Sequence, residues 1–428
     1  AINLETFMQW ACLIQQSGQP NYSHLGKHCK KCQFRSKHSD LPLMMSGVHQ
    51  CWTYAISEAE TLTTQTPLPL NLDAPLSIDL WGGNSGPISY AQKVTDNGHA
   101  LLRDVNWEQI NLNHEYDPEQ RELRPNDRRV LQISLENNGR DFVMKHDYLI
   151  ETMQGWPYPW HMIDFETSAP AIPPTSGMKP YETIAFQFSH HIMHEDGQIE
   201  HASQFIEIEA GGQPNLAFVR ALKEALMPNG SLQGTVFRYH NHENTVLNHI
   251  KSQLTAEYFP DLVKDEKDEL IAFIHSITHD KDEIAGEHDM VDLYDVVLKG
   301  YISKHAGGSN SLKYILPAIL QDVPALIEKY SQPGIYGHGL EMHSLNFDEK
   351  IWIPDVGVSN PYDSLPPILD NLPEGFDASS VDELLASLVN ENGKIDQGGL
   401  AMAAYNYSRY HDLPEQDRMA LRDSLLKY

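Results

Sequence analysis

Residues 162–166 read Met-Ile-Asp-Phe-Glu, a short apolar run that carries two carboxylates and is bounded by turn-forming residues. Such a run reads as a buried strand. Side chains alternate along a strand, so Asp164 and Glu166 share one face while Phe165 turns to the other, into a core. Two carboxylates held side by side repel, and burying them is costly unless a cation compensates the charge. Hard carboxylate oxygens suit Mg²⁺ or Mn²⁺. A solvent-facing strand end with two unremarkable acids would show the same spacing, so the neighbouring residues must decide.

Those neighbours describe an α/β unit. Residues 184–193 (IAFQFSHHIM) and 201–209 (HASQFIEIE) are two further β-rich runs, and the three together suit an antiparallel meander. Residues 216–227 have helical spacing, 234–240 (GTVFRYH) read as the next strand, and 243–254 as a helix with Val246, Leu247 and Ile250 on one face. Strands followed by a crossover helix and a further strand give a mixed sheet with flanking helices.

The runs IDFET and AIPPTSGMKPYETIAFQFSHH together resemble a bacterial family of uncharacterised proteins. The C-terminal domain of that family looks like a DEDD-type 3'-5' exonuclease of the ribonuclease H-like fold. The resemblance implies that Asp164 and Glu166 hold two divalent metals, Mg²⁺ or Mn²⁺. It implies a third carboxylate at Glu243, where the superfamily has Phe-Asp; here His242 and Glu243 stand instead, followed by apolar Val246 and Leu247. A glutamate in the first turn of a helix also suits the macrodipole, whatever else it does. The K-P-Y and F-Q-F-S motifs bring Lys179, Tyr181 and Gln187 into the expected substrate contacts. Lys313, beyond the Gly307–Gly308 turn, is either a further phosphate contact or a solvated lysine. Asp292, in a V-D-x-L pattern, is expected to hold its helix rather than a metal. The last residue, Tyr428, matches the Tyr of a Y-x-x-x-D motif, where it would orient the attacking water.

The resemblance extends toward the start of the chain. Cys29 and Cys32 form a C-x-x-C hook, and Cys51 returns after a loop. All four cysteines lie in the first 51 residues of a 428-residue chain, which favours a metal site in a reducing cytoplasm over a disulfide framework. Three thiolates make most of a tetrahedral site. By resemblance, residues 1–56 are the end of a PD-(D/E)XK-type nuclease domain whose cysteines hold an iron-sulfur cluster; zinc is the alternative. The fourth ligand is missing, or Cys12, or one of His24, His28 and His49. Cys12 lies on the apolar face of a helix expected over residues 2–16, where it also reads as a small core residue. No PD-(D/E)XK carboxylate motif is present in these residues, and the chain reads as a fragment or trimmed form of a longer one.

Residues 57–76 are rich in Thr and Pro and read as a linker. Residues 77–155 form a small α+β spacer in which two runs flanking Asn137, Asn138 and Gly139 read as a β-hairpin. The exonuclease-like domain takes residues 156–428, with a Pro- and Gly-rich insertion at about 321–395.

The net charge of −28 argues against broad, sequence-blind binding to phosphate backbones. A nucleic acid 3' end, DNA or RNA, would be held locally, by metals and by small patches such as Lys30, Lys31 and Arg35, or Lys179 with Tyr181. No apolar run reaches 18 residues, so no membrane partner is expected, and the start of the chain lacks a signal peptide's basic residues. Two other functions fit the same residues. One is a non-catalytic module that keeps the exonuclease fold and grips a nucleic acid end or a protein; the other is a hydrolase of small nucleotides or oligonucleotides, which the acidic balance suits better.

Overall fold

A computed structural model describes the chain apart from residues 1–2, 19–21, 23–25, 36–45, 59–74, 83–88, 97–98, 100, 107, 109–111, 113, 174, 176, 209–213, 257, 281, 283, 355–359, 366–397 and 411–413. Most of the expected linker, and much of the expected insertion, lies outside the described residues. The rest forms two compact units, Ala1–Lys145 with Leu298–Ala318, and His146–Val297 with Ile319–Tyr428. Among the described residues no helix is long and apolar enough to cross a membrane.

In the first unit, helix Leu4–Ser17 has the expected periodicity but buries none of its residues. Leu4, Phe7, Met8, Trp10 and Leu13 are exposed, and so is Cys12, which therefore is not a core residue. Periodicity sets which side chains share a face; it does not supply the surface that face packs on.

The expected hairpin is replaced by helix Pro125–Leu135, a turn, and strand Phe142–Met144, which pairs antiparallel with Tyr301–Ser303. The helix starts where Pro125 fits the first turn and Asp127 accepts a hydrogen bond from the Arg124 backbone N–H at 2.7 Å. Arg128, Arg129, Val130, Leu131, Gln132, Ile133 and Leu135 are all buried. A helix buried on every side loses its 3.6-residue signature and reads like a buried strand. Arg128 is kept in this interior by donating to the Leu298 and Tyr301 carbonyls and to Asn310.

The second unit is built on a seven-stranded mixed sheet. Its strands are β1 (Trp160–Ser168), β2 (Ile184–Met193), β3 (Ile199–Ile206), β4 (Thr235–Arg238), β5 (Val291–Asp292), β6 (Tyr336–Gly337) and β7 (Met342–His343). The order across the sheet is β5-β4-β1-β2-β3-β7-β6. As the alternating runs predict, β1, β2 and β3 form an antiparallel meander, with Asp164 opposite Ser189 and Glu166 opposite Gln187. β4 then returns parallel to β1, and β5 parallel to β4. The helices of the unit include α1 (His146–Gln154), α2 (Pro214–Leu226), α3 (His242–Thr255), α4 (Lys264–Ile277), α5 (Gly398–Tyr410) and α6 (Glu415–Lys427).

Alternation divides the work between the sheet's two faces. Ile163, Phe165 and Phe188 join Phe218, Leu222, Leu247, Ile250, Phe273 and Ile274 in a core with α2, α3 and α4. Each such side chain contributes about 1.5–3 kcal/mol of burial. Ile206 packs with Ala401, Ala404, Leu421 and Leu425 of α5 and α6. Buried His161 and His190 are satisfied as a relay. His161 Nε2–H donates to the Gln233 carbonyl, so its Nδ1 accepts from His190 Nε2, and His190 Nδ1 is left to accept from the Ser203 hydroxyl. Burial, and then the neighbouring histidines, push the His190 pKa down to about 3, so the relay is neutral.

Candidate active site

Asp164 is exposed, Glu166 half-buried, and the intervening Phe165 is 3% exposed, which is the division a strand imposes. Glu243 enters from another element. It stands at the second position of α3, after the loop Tyr239–Asn241, with 2% of its surface exposed. Its Oε2 is buried and has no hydrogen-bond partner. Burial pushes its pKa up to about 8, and the charges of Asp164 and then Asp292 add to the shift; its own backbone N–H and Arg238 oppose it. The charge of Asp164 is felt at Glu243, and the three expected carboxylates belong to one unit. As a trio their oxygens do not all come within 4.8 Å of one another, among the described residues.

The loop that delivers Glu243 is held by Asp292. His240 has φ +69°, a left-handed conformation that costs any residue with a side chain and that histidine tolerates better than most. One oxygen of Asp292 accepts from the His240 N–H at 2.8 Å and the Tyr294 N–H at 2.9 Å; the other pairs with Arg238 Nη1 at 3.0 Å. Arg238 also donates to the His240 carbonyl. These bonds give Asp292 the structural part its sequence context predicts.

Glu166 is approached from a direction the motifs did not indicate. A side chain at Gly398, the first residue of α5, would place its Cβ 3.1 Å from Glu166 Oε2. A larger residue there would crowd the carboxylate and shift it by a few tenths of an ångström. The Gly-Gly at 398–399 was the available signal, since a glycine pair opening a helix asks for such a reason. Beside Glu166, the Thr167 hydroxyl is 3.3 Å from His242 Nε2.

Among the expected substrate contacts, Lys179 and Tyr181 are exposed on the loop between β1 and β2. Gln187 is buried, and its amide donates to the Leu425 carbonyl at 2.7 Å, fastening α6 to β2; its Oε1 is buried with no partner. Tyr428 is half-buried against the Ala401, Ala404, Leu421 and Leu425 cluster. Lys313 belongs to the first unit, exposed in the first turn of helix Leu312–Asp322.

In the first unit Cys29 and Cys51 share a hydrophobic cluster with Val48, Trp52, Leu76, Ile78 and Leu101. Burial raises the Cys29 pKa, and nearby Cys51 and Cys32 raise it further, against a hydrogen bond from the Gly26 N–H at 3.4 Å. Tetrahedral zinc needs sulfurs about 3.8 Å apart. Among the described residues the three do not all lie within 4.8 Å of one another. His28 is exposed, and His24 and the side chain of His49 lie outside the described residues.

Residues 161–311 match a family described as Domain of unknown function (DUF2779). The match includes Asp164, Glu166, Lys179, Tyr181, Gln187, Glu243 and Asp292, and leaves out the cysteines, Lys313 and Tyr428. No curated protein and no solved structure matches the chain.

Proposed function

We propose that the second unit is a metal-dependent 3'-5' exonuclease that hydrolyses the phosphodiester bonds of DNA or RNA. The observation that carries this reading is Glu243 Oε2, a buried carboxylate oxygen with no partner, on a side chain that also feels the charge of Asp164. An uncompensated buried acid is expensive. A divalent cation removes the expense, and the all-oxygen donor set of Asp164, Glu166 and Glu243 fits Mg²⁺ or Mn²⁺. Two such ions, rather than one, are what a two-metal hydrolysis would use. Three antiparallel strands with two parallel strands added beyond the first is the order of a ribonuclease H-like core, and the sheet has that order in β1 to β5.

In this reading the ions supply charge stabilisation of the scissile phosphate and a lowered pKa for the attacking water. Asp164 and Glu166 present their oxygens from a rigid strand, Gly398 keeps the space beside Glu166 open, and the Asp292–Arg238 pair fixes the loop that aims Glu243. Tyr428 would orient water rather than deprotonate it, since a phenol's ordinary pKa is too high for a base at neutral pH. Cys29, Cys32 and Cys51 would hold an iron-sulfur cluster, with zinc as the alternative.

The test is digestion of 5'-labelled single-stranded DNA and RNA in Mn²⁺. The protein should shorten one or both stepwise from the 3' end. Asp164→Asn should slow this on the order of a thousandfold at an unchanged melting temperature. Equal rates for parent and variant would remove the assignment, and binding without cleavage by the parent would favour the non-catalytic module.

A further inference from the structure

The loop between β1 and β2 contains the second bulky left-handed residue of the unit. Tyr181 has φ +61°, and 72% of its surface is exposed. A bulky side chain at positive φ is an outlier, and such strain persists only where the surroundings over-determine it. They do so here. The Tyr181 N–H donates to the Pro170 carbonyl at 2.9 Å. Next to it, the Glu182 carboxylate accepts from the Lys179 backbone N–H at 2.7 Å, the Tyr258 hydroxyl at 2.5 Å and Gln253 Nε2 at 3.0 Å. Gln253 Oε1 in turn accepts from Asn215, whose own oxygen takes the Ala185 N–H at the start of β2. A polar network that runs from the surface into the interior thus pins both sides of Tyr181. Its ring buries little in return, so fold stability does not account for the strained conformation.

The loop springs from the strand that carries the carboxylates. Ser168 faces Ile184 across the hairpin, two residues from Glu166 and three from Tyr181. At about 3.3 Å per residue, the tyrosine lies within roughly 20 Å of Glu166, a reach of a few nucleotides. Exposed Lys179 stands two residues away. We infer that Tyr181 is a stacking platform for a base of single-stranded nucleic acid upstream of the 3' end, with Lys179 against the adjoining phosphate. A ring held rigid in solvent stacks without further ordering, and it accepts any base because every base presents a π-face. The inference rests on the exonuclease reading and narrows it, since a platform at this distance serves an oligonucleotide and not a single nucleotide.

Glycine adopts positive φ without strain, so Tyr181→Gly separates fold from function. Its melting temperature should equal or exceed the parent's. Its affinity for a fluorescein-labelled single-stranded DNA decamer, read by anisotropy, should fall about tenfold, whereas Tyr181→Phe stays near the parent. In Mn²⁺, KM for the decamer should rise about tenfold, by a larger factor than kcat falls. Equal decamer affinity for Tyr181→Gly and the parent would overturn the platform. A parent that binds the decamer without cleaving it would instead overturn the exonuclease reading, and the anisotropy comparison would still decide the platform.

Discussion

Two buried carboxylates, one in each unit, differ in how their charge is met. Asp127, in the first unit, has no exposed surface, and it accepts from His114 at 2.5 Å and from Gln120 Nε2 and the Arg124 N–H, each at 2.7 Å. Burial pushes its pKa up, but these three donors outweigh that and the net shift is down. Glu243 is buried as deeply, has one oxygen with no partner, and is pushed up to about 8. Burial is common to both. The donors decide whether the charge belongs to the fold or awaits something from outside it.

The comparison breaks first at Asp127. Asp127→Ala leaves His114, Gln120 and a helix start without their acceptor, and should cost about 3–5 kcal/mol, read as a lower denaturant midpoint for the first unit. A loss below about 1 kcal/mol would mean that the network is not a stabilising one.

Glu243 should behave in the opposite sense. Because its folded pKa is raised, the metal-free protein keeps the full contribution below pH 4.5 and loses it as pH rises through 8, by up to about 1.4 kcal/mol per pH unit. Glu243→Gln should remove that slope and be the more stable protein at pH 8. Mn²⁺ should also remove the slope in the parent, and its uptake below pH 8 should release about one proton, measured calorimetrically in two buffers of different ionisation enthalpy. A flat parent profile between pH 4.5 and 8 would place Glu243 with the satisfied acids.

The smallest effect belongs to charges that are neither buried nor orphaned. Arg220 Nε meets Glu266 at 2.6 Å between α2 and α4, with 48% and 35% of the two side chains exposed. Arg220→Ala should shift stability by no more than about 0.5 kcal/mol, and less in high salt. A larger shift would show that surface pairs compete with the apolar core in holding these helices.

Much of the site could be read from local sequence because it depends on local geometry. The alternation around Phe165 put Asp164 and Glu166 on one face, the β-rich runs gave the meander, and the start of α3 fixed Glu243 in a first turn. Helix Pro125–Leu135 was not legible, since complete burial erases the period that marks a helix. Gly398 lies more than two hundred residues from Glu166, and no short-range pattern joins them.

The sequence by itself determined which carboxylates share a strand face, which residues open the helix after β4, and that a tyrosine stands beside a lysine in the loop after β1. Tertiary structure alone decided that Glu243 is buried with an oxygen to spare, that Asp292 spends its oxygens on a loop, and that Tyr181 is pinned in a strained, exposed conformation. The physical reason is range. Side-chain direction follows from two or four neighbouring residues, whereas burial and the count of hydrogen-bond partners depend on segments that meet only after the chain has folded.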